Sequence, residues 1–201
     1  KRYYFLKQRV SEYGMRVERI TREEHTRFIN EQSSASFLQL PEWGDVKKEW
    51  RSESIGIYKE NECVGTALIL YRSLPKIGRS FAYIPEGPAL SSATHLDAEL
   101  LNALKSYVKS AGAFLLRIGT PLPLRDWSTE KIKDALASTE ATSLINIPSD
   151  HEYSSGVAAV HALESAGWKN INSSDGFGEG QPNFLFQLNL LGKDRESLLT
   201  G

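Results

Sequence analysis

Residues 54–72 read SIGIYKENECVGTALILYR. The two ends of this stretch, 54–59 and 63–72, are rich in Ile, Val, Leu and Tyr, a composition typical of β-strands. The polar residues 60–62 separate the two runs and predict a tight connection between them. The stretch therefore predicts an antiparallel β-hairpin, around which the remaining elements can be placed.

The segments on either side of the hairpin predict a sheet flanked by helices. Thr21 followed by Glu24 forms a capping-box signature, and leucines at helical spacing follow residue 95. Strands are predicted over 15–20, 80–84, 113–118 and 183–190, and helices over 21–32, 95–110, 128–138 and 157–166, with a short helix after Pro41. Residues 1–14 are expected to form a tail or linker. Residues 15–201 then predict one α/β domain with a mixed, mostly antiparallel sheet.

The composition excludes several classes of protein. The 201 residues carry 24 Lys and Arg against 25 Asp and Glu, so no overall charge selects an acidic or a basic partner. A hydrophobic share of 40% argues against disorder. One cysteine, Cys63, cannot form an internal disulfide, which fits a reducing compartment. No apolar run is long enough to cross a membrane, and residues 1–9 lack the apolar core of a signal peptide.

Reactive side chains give few signals of catalysis or metal binding. The four histidines lie at positions 25, 95, 151 and 161 without the i, i+4 spacing of paired ligands, so solvated or capping roles are predicted for them. Cys63 lies in an apolar strand and is expected to be inert. The glycine-rich segment 176–180 lacks the flanking strand and helix of a dinucleotide site and is expected to be a surface loop. No Ser-His-Asp or Cys-His pattern is visible.

Two cationic positions are candidate binding residues. Arg117 near the end of an apolar strand needs a carboxylate, a carbonyl or a phosphate as partner, and a structural ion pair is one reading. Lys47 and Lys48 follow a short predicted helix, where a lysine can bind phosphate or remain a surface charge. The residues alone leave these alternatives open.

Four segments in register resemble a known family. They are residues 39–50 (QLPEWGDVKKEW), residues 80–88 (SFAYIPEGP), residues 115–118 (LLRI), and Gln181-Pro182 before a run ending at Leu190. In sequence and order these segments resemble the Fem family of peptidoglycan bridge aminoacyltransferases. The likeness runs from about residue 15 to the C-terminus.

The resemblance implies a GNAT-like acyltransferase fold, of which family members carry two copies. This chain corresponds to the first copy, and a basic segment and a second domain are expected just past Leu199. Family enzymes transfer an amino acid from aminoacyl-tRNA, a co-substrate, to the stem peptide of a peptidoglycan precursor, which is UDP-MurNAc-pentapeptide or lipid II. The implied location is the cytoplasm or the inner face of the membrane, with peripheral membrane contact allowed. No metal and no further cofactor is implied, tRNA is expected to bind the second half, and the first half alone is expected to be inactive.

The resemblance also implies site residues by position. Lys47 matches a lysine implicated in holding the precursor's diphosphate, and Arg117 matches an arginine near the precursor cleft. Trp43 and Gln39 match the surrounding motif, where packing explains them as well as substrate contact does. Phe114 stands where some members have a substrate-side tyrosine, so the ring is kept and the hydroxyl is lost. The catalytic base is not identified.

Three positions depart from the family pattern. Glu86 replaces a usual Arg or Lys, Gly119 replaces a frequent Asp, and Asn183 replaces a frequent Arg. A carboxylate in place of a cation near a diphosphate changes attraction into repulsion. These departures favour one alternative, a non-catalytic binding module of the same fold. A second alternative with this fold is an acetyl-CoA-dependent N-acetyltransferase, but the sequence lacks the glycine-containing signal that binds the pyrophosphate of acetyl-CoA.

Overall fold

The computed structural model describes residues 14–138, 143–171, 182 and 184–196. The chain divides into two units, residues 1–169 and residues 170–201. In the first unit the strands are β1 (Met15–Arg19), β2 (Arg51–Lys59), β3 (Glu62–Leu74), β4 (Arg79–Ile84), β5 (Ala89–Leu90), β6 (Ala113–Ile118), β7 (Arg125–Asp126) and β8 (His151–Glu152). The helices are α1 (Arg22–Glu31), α2 (Pro41–Val46), α3 (Ala98–Ser110), α4 (Thr129–Ala137) and α5 (Ser154–Ser165). Short 3-10 helices span Phe37–Gln39, Pro75–Ile77 and Leu144–Asn146.

The main sheet has the strand order β1-β2-β3-β4-β6, and β5 adds a short pairing with β3. All neighbours are antiparallel except β4 and β6, which α3 separates in sequence and which run parallel. The predicted hairpin is confirmed as β2 and β3. A mixed, mostly antiparallel sheet flanked by helices is therefore confirmed as the fold class.

Each face of the sheet carries helices. The main core combines one face of the sheet, including Ile57, Ile69 and Ile84, with Leu100 and Leu104 of α3. Helices α1 and α2 pack on β2 and β3, and Leu68 lies beside Gly44 of α2. Side chains alternate between the two faces along a strand. The strand residues between these core positions therefore lie on the other face of the sheet, the one that α1 and α2 cover.

Local sequence signals set the helix starts. Thr21 caps α1 with a complete capping box involving Glu24, as predicted. Asp97 accepts a hydrogen bond from the backbone N–H of Leu100, and Ser128 does the same for Lys131. These side chains satisfy backbone donors that the first helical turn leaves unpaired.

The prediction of a solvated or capping role is wrong for His25. This side chain is fully buried because α1 packs its inner face on β2, where His25 Nδ1 lies 3.0 Å from Ser54 Oγ. Residues 95, 151 and 161 are exposed, as predicted.

The strand predicted over 183–190 is also wrong. In the second unit, residues 184–190 form no strand, and Phe186 is exposed, so its apolar side chain gains no burial there. A turn follows at residues 191–192. The tail 1–13, the glycine-rich segment 176–180, Gln181, Asn183 and the end of the predicted terminal helix lie outside the described residues. Among the described residues, no helix has the length and apolarity needed to cross a bilayer.

Candidate functional site

Lys47 and Trp43 lie together at the C-terminal end of α2. Pro41 occupies the first helical turn, where its missing N–H costs no hydrogen bond, and Lys47 caps the helix by donating its backbone N–H to the Trp43 carbonyl at 3.2 Å. The Lys47 Nζ lies 5.1 Å from the centroid of the Trp43 ring. The ring itself meets Phe37 edge-on at 5.6 Å. This packing fixes the indole and holds an ammonium group on its face.

Gln39 is fully buried behind this helix. Its Oε1 accepts a hydrogen bond from the Leu68 backbone N–H at 3.0 Å, and its Nε2 donates to the Pro85 carbonyl. Both ends of the amide are therefore used inside the protein. Gln39 joins the segment before α2 to strand β3 and to the loop after β4, so it acts by positioning.

The loop Pro85–Pro88 approaches Gln39 closely. A Cβ added to Gly87 would collide with the Gln39 side-chain amide, so any larger residue there would force Gln39 to shift. Glu86 has a left-handed backbone with φ of 44°, and its carboxylate accepts a hydrogen bond from Ser36 Oγ. The carboxylate that departs from the family pattern is thus tied to the segment that leads into Gln39.

Arg117 lies on the α2 side of the sheet. Tyr83 stands directly opposite Arg117 in the parallel pair β4 and β6, and the guanidinium carbon lies 5.5 Å from the Tyr83 ring centroid. Side chains directly opposite each other project from the same face of a sheet. Arg117 is half-buried.

An aromatic row links the two cationic positions. We use this name for Trp50, Phe81 and Tyr83. Phe81 and Tyr83 are stacked with centroids 6.5 Å apart, and Trp50 meets Phe81 at 5.9 Å. Trp50 follows Lys47 closely and donates its backbone N–H to the Lys47 carbonyl at 2.8 Å. Contacts therefore run without interruption from Lys47 to Arg117.

Sequence reasoning did not select Phe81 or Tyr83 as site residues. Both lie in the segment 80–88, two positions apart, which is the spacing of side chains on one face of a strand. This spacing is the sequence signal that could have placed Phe81 and Tyr83 on one face of the sheet. The register with β6 was needed to see that this face also carries Arg117.

Phe114 lies on β6 beside the irregularity in its pairing with β4 and is 47% exposed. Three residues, or roughly 10 Å of strand, separate it from Arg117. Gly119 donates its N–H to the Ile84 carbonyl at 3.2 Å, and a Cβ there would make only an ordinary contact, 3.8 Å from Glu86 N. Steric crowding therefore does not explain why this chain has Gly119 where the family often has Asp.

A cavity of about 570 Å³ opens elsewhere, between α1, α2 and β2. Arg22 and Ser54 are among its lining residues, and none of the five predicted site residues lines it. Arg22 binds Asp45 through two hydrogen bonds, of 2.9 and 2.7 Å, and this pairing lowers the pKa of the Asp45 carboxyl. Because its charge is already matched, Arg22 is a weaker candidate for phosphate than Lys47.

Among the described residues, the remaining reactive groups give no second candidate site. Burial raises the pKa of the Cys63 thiol, which favours the unreactive protonated form. His151 Nδ1 and Tyr153 Oη contact Asp126 at 3.0 and 2.6 Å at the exposed β7–β8 pair. Within the part of the chain that the structure describes, no group of three or more His, Cys, Asp or Glu side chains could hold a metal ion.

The chain resembles known proteins in sequence and in fold. A sequence model of the FemAB family matches residues 20–200. The lipid II:glycine glycyltransferase of Staphylococcus aureus (strain COL) is 27% identical over 163 residues, covering 80% of this chain and 31% of the relative. The protein of the same name from Staphylococcus epidermidis is 26% identical, covering 80% of this chain and 32% of the relative. This chain thus spans about a third of the curated relatives it matches.

A solved structure shows a similar fold. The crystal structure of FemX superposes with a TM-score of 0.55 at 23% identity, covering 83% of this chain and 35% of that chain. At this identity the likeness concerns the fold alone. The fold of this chain is therefore similar to part of the FemX fold.

Proposed function

Because this chain belongs to the FemAB family, we propose that it forms the precursor-binding part of an aminoacyltransferase that builds peptidoglycan bridges. The relatives reported above are named for transfer of glycine to lipid II, and a lipid-linked or UDP-linked muropeptide is the proposed acceptor. Aminoacyl-tRNA is the proposed donor and is expected to bind largely through a second, similar domain. The proposed place of action is the inner face of the membrane.

The observation that supports this proposal is the aromatic row together with the two cationic residues at its ends. Trp50 donates its backbone N–H to Lys47 at one end, and Arg117 lies over Tyr83 at the other. Lys47 and Arg117 are cationic side chains, and the rings of Phe81 and Tyr83 lie between Trp50 and Arg117. A muropeptide precursor combines a diphosphate with sugar rings, which are the groups that cations and aromatic faces bind. The cations and the aromatic row therefore fit the precursor's chemistry.

Each residue has a proposed role. Lys47 binds the diphosphate as a point charge on the Trp43 face, and Arg117 offers a planar fork to a phosphate or a carboxylate. Phe114 supplies an exposed ring at the edge of the sheet. Gln39 touches no substrate and holds the loop after β4 in place.

The proposed reaction is aminolysis of an ester. The acceptor amine attacks the aminoacyl carbonyl, a C–N bond forms, the ester C–O bond breaks, and the tRNA 3′ hydroxyl leaves with a proton. Such a reaction needs two substrates held in register and stabilisation of the developing oxyanion, and it needs no nucleophile from the protein. This chain's part in it is to fix the acceptor.

Calorimetric titration of the purified protein with UDP-linked muropeptide tests the binding proposal. Lys47→Ala should weaken binding roughly 10- to 100-fold, as expected for loss of one charge-assisted contact of about 1.5–3 kcal/mol. Lys48→Ala, an exposed neighbour, is the matched control and should bind as the wild type does. Equal affinities of the two variants would remove Lys47 from the site.

Transfer by the full-length protein, supplied with glycyl-tRNA and lipid II, tests the reaction. Formation of a glycyl-lipid product is expected. Binding of the precursor without any transfer would instead favour a non-catalytic module, the alternative that the Glu86 substitution raised.

A further inference from the structure

The connection between β3 and β4 is strongly basic. Residues 72–79 read RSLPKIGR and contain Arg72, Lys76 and Arg79 but no acidic residue. All eight residues are exposed. A local charge of +3 contrasts with the net charge of −1 of the whole chain. This connection is therefore a concentrated positive surface on a nearly neutral protein.

Aliphatic side chains are exposed among these cations. Ile77 is 57% exposed in the 3-10 helix at the tip, and Leu74 is exposed at the end of β3. On β6, Leu115 is 52% exposed. Leu115 lies opposite Phe81, which lies opposite Arg72, so these three side chains share one face of the sheet. Apolar and cationic groups are thus mixed at one end of the sheet.

We call this surface the basic rim: Arg72, Leu74, Lys76, Ile77, Arg79 and Leu115. The α3–β6 turn extends it, because Ser80 donates its N–H to the Gly112 carbonyl at 3.2 Å and the exposed Lys109 precedes that turn. Two acidic residues lie close to this end in the sequence. Glu49 is exposed before β2, whereas the charge of Glu53 is already matched by Arg19 and Arg51. Positive charge therefore dominates this end.

We propose that the basic rim docks the protein on an anionic lipid bilayer, with Ile77 and Leu74 inserted at the interface. Cations bind the acidic headgroups, while aliphatic side chains enter the boundary of the acyl region, and stable peripheral binding needs both kinds of contact. A nucleic acid fits less well because its phosphates would pair with the cations but would leave the aliphatic side chains of Ile77 and Leu74 exposed to water. A second copy of the chain would bring like charges together.

The basic rim adjoins the aromatic row. Arg72 lies over Trp50, with 5.8 Å between the guanidinium carbon and the ring centroid, so the rim is continuous with the aromatic row. A bilayer against the rim would place the row beside the headgroup region. The docking concerns lipid binding alone and does not require the proposed transferase activity.

Co-sedimentation of the purified protein with vesicles tests the inference. Vesicles of phosphatidylglycerol mixed with phosphatidylcholine should retain the protein, and pure phosphatidylcholine vesicles should not. The double variant Lys76→Glu, Arg79→Glu should lower partitioning at least 25-fold, because each cation near an anionic surface contributes about fivefold. The control Lys59→Glu, Lys133→Glu changes the net charge equally at exposed positions outside the rim and should retain wild-type binding.

A fluorescent label tests insertion. An environment-sensitive dye on Ile77→Cys, in a Cys63→Ser background, should shift to the blue with anionic vesicles. The same dye on Leu136→Cys, which replaces the 79% exposed leucine of α4, should not shift. Equal shifts at both positions, or equal sedimentation of the two charge variants, would overturn the proposal.

Two further outcomes are informative. Loss of tRNA binding in Lys76→Glu, Arg79→Glu, with unchanged vesicle binding, would assign the rim to nucleic acid and overturn the lipid proposal. The same variant should bind soluble UDP-linked muropeptide as the wild type does. Failure of vesicle binding can therefore be told apart from failure of the proposed precursor site.

Discussion

Arg117 lies over the ring of Tyr83, with its guanidinium carbon 5.5 Å from the ring centroid, across the parallel pair of β4 and β6. The ring packs against the guanidinium and restricts its orientation. Arg117→Ala and Tyr83→Leu should each weaken muropeptide binding, the first by roughly 10- to 100-fold. Calorimetry provides the measurement.

A double-mutant cycle makes this prediction sharper. If Tyr83 acts by orienting Arg117, the effects of Arg117→Ala and Tyr83→Leu should not add, with a coupling energy of about 0.5–3 kcal/mol. Arg125→Ala, in the exposed β7–β8 pair, is the control and should leave affinity unchanged. Strict additivity would show that the two side chains bind independently or not at all.

Gln39 should matter for stability rather than for direct contact with substrate. Gln39→Ala leaves the Leu68 N–H and the Pro85 carbonyl buried without their partner, which should lower the free energy of unfolding by about 2–4 kcal/mol. Gln32→Ala removes a single hydrogen bond to the Phe28 carbonyl at the half-buried end of α1 and should lower it by about 1 kcal/mol or less. Urea denaturation compares them, and equal losses would contradict the bridging role of Gln39.

The parts of the fold set by local signals were predictable from the sequence. The capping box of Thr21 and Glu24, the leucine spacing of α3 and the hairpin of β2 and β3 depend on residues close in the chain. The apolar run before Leu190 led to the wrong prediction of a strand. Its composition gives only a preference for extended structure, and a strand also needs a neighbouring strand to pair with.

The site was predictable only in part. The resemblance selected Lys47 and Arg117, whereas the links between them depend on long-range contacts. Gln39 reaches positions 29 and 46 residues away, and the face shared by Tyr83 and Arg117 follows from the register of two strands joined through a helix. The burial of His25 likewise depends on where α1 packs. Local periodicity contains none of this information.

Gly87 should tolerate no side chain. A Cβ there would collide with the Gln39 amide, so Gly87→Ala should displace Gln39 and lower stability by about 1–3 kcal/mol. Gly119→Ala is the matched control, since its Cβ would lie 3.8 Å from the nearest atom. Thermal unfolding of the two variants gives the comparison. A wild-type melting temperature for Gly87→Ala would show that the loop adapts without loss.

His25 should make stability depend on pH. Burial lowers the pKa of His25 to about 4, from an ordinary value near 6.5, with the charge of Glu42 opposing the shift. The neutral ring is held by Ser54, and His25 Nε2 has no hydrogen-bond partner among the described residues, so a proton added there would be unsolvated.

The direction of the effect follows from linkage. Between pH 4 and 6.5 the unfolded chain binds a proton at this histidine and the folded protein does not. The stabilisation is complete above pH 6.5 and is lost as the pH falls toward 4, by roughly 3 kcal/mol in total. Urea denaturation at several pH values should show a loss of stability from pH 7 to 4.5 in the wild type.

Substitution separates this histidine from the carboxylates that titrate in the same range. His25→Gln keeps a polar group beside Ser54 but cannot take up the proton, so its slope of stability against pH should be smaller by up to one proton between pH 4.5 and 6. His161→Gln, at an exposed position of α5, should retain the wild-type slope. If His25→Gln and His161→Gln have the same slope, burial of His25 does not govern the acid response, because the proton that distinguishes the folded from the unfolded chain is then bound elsewhere.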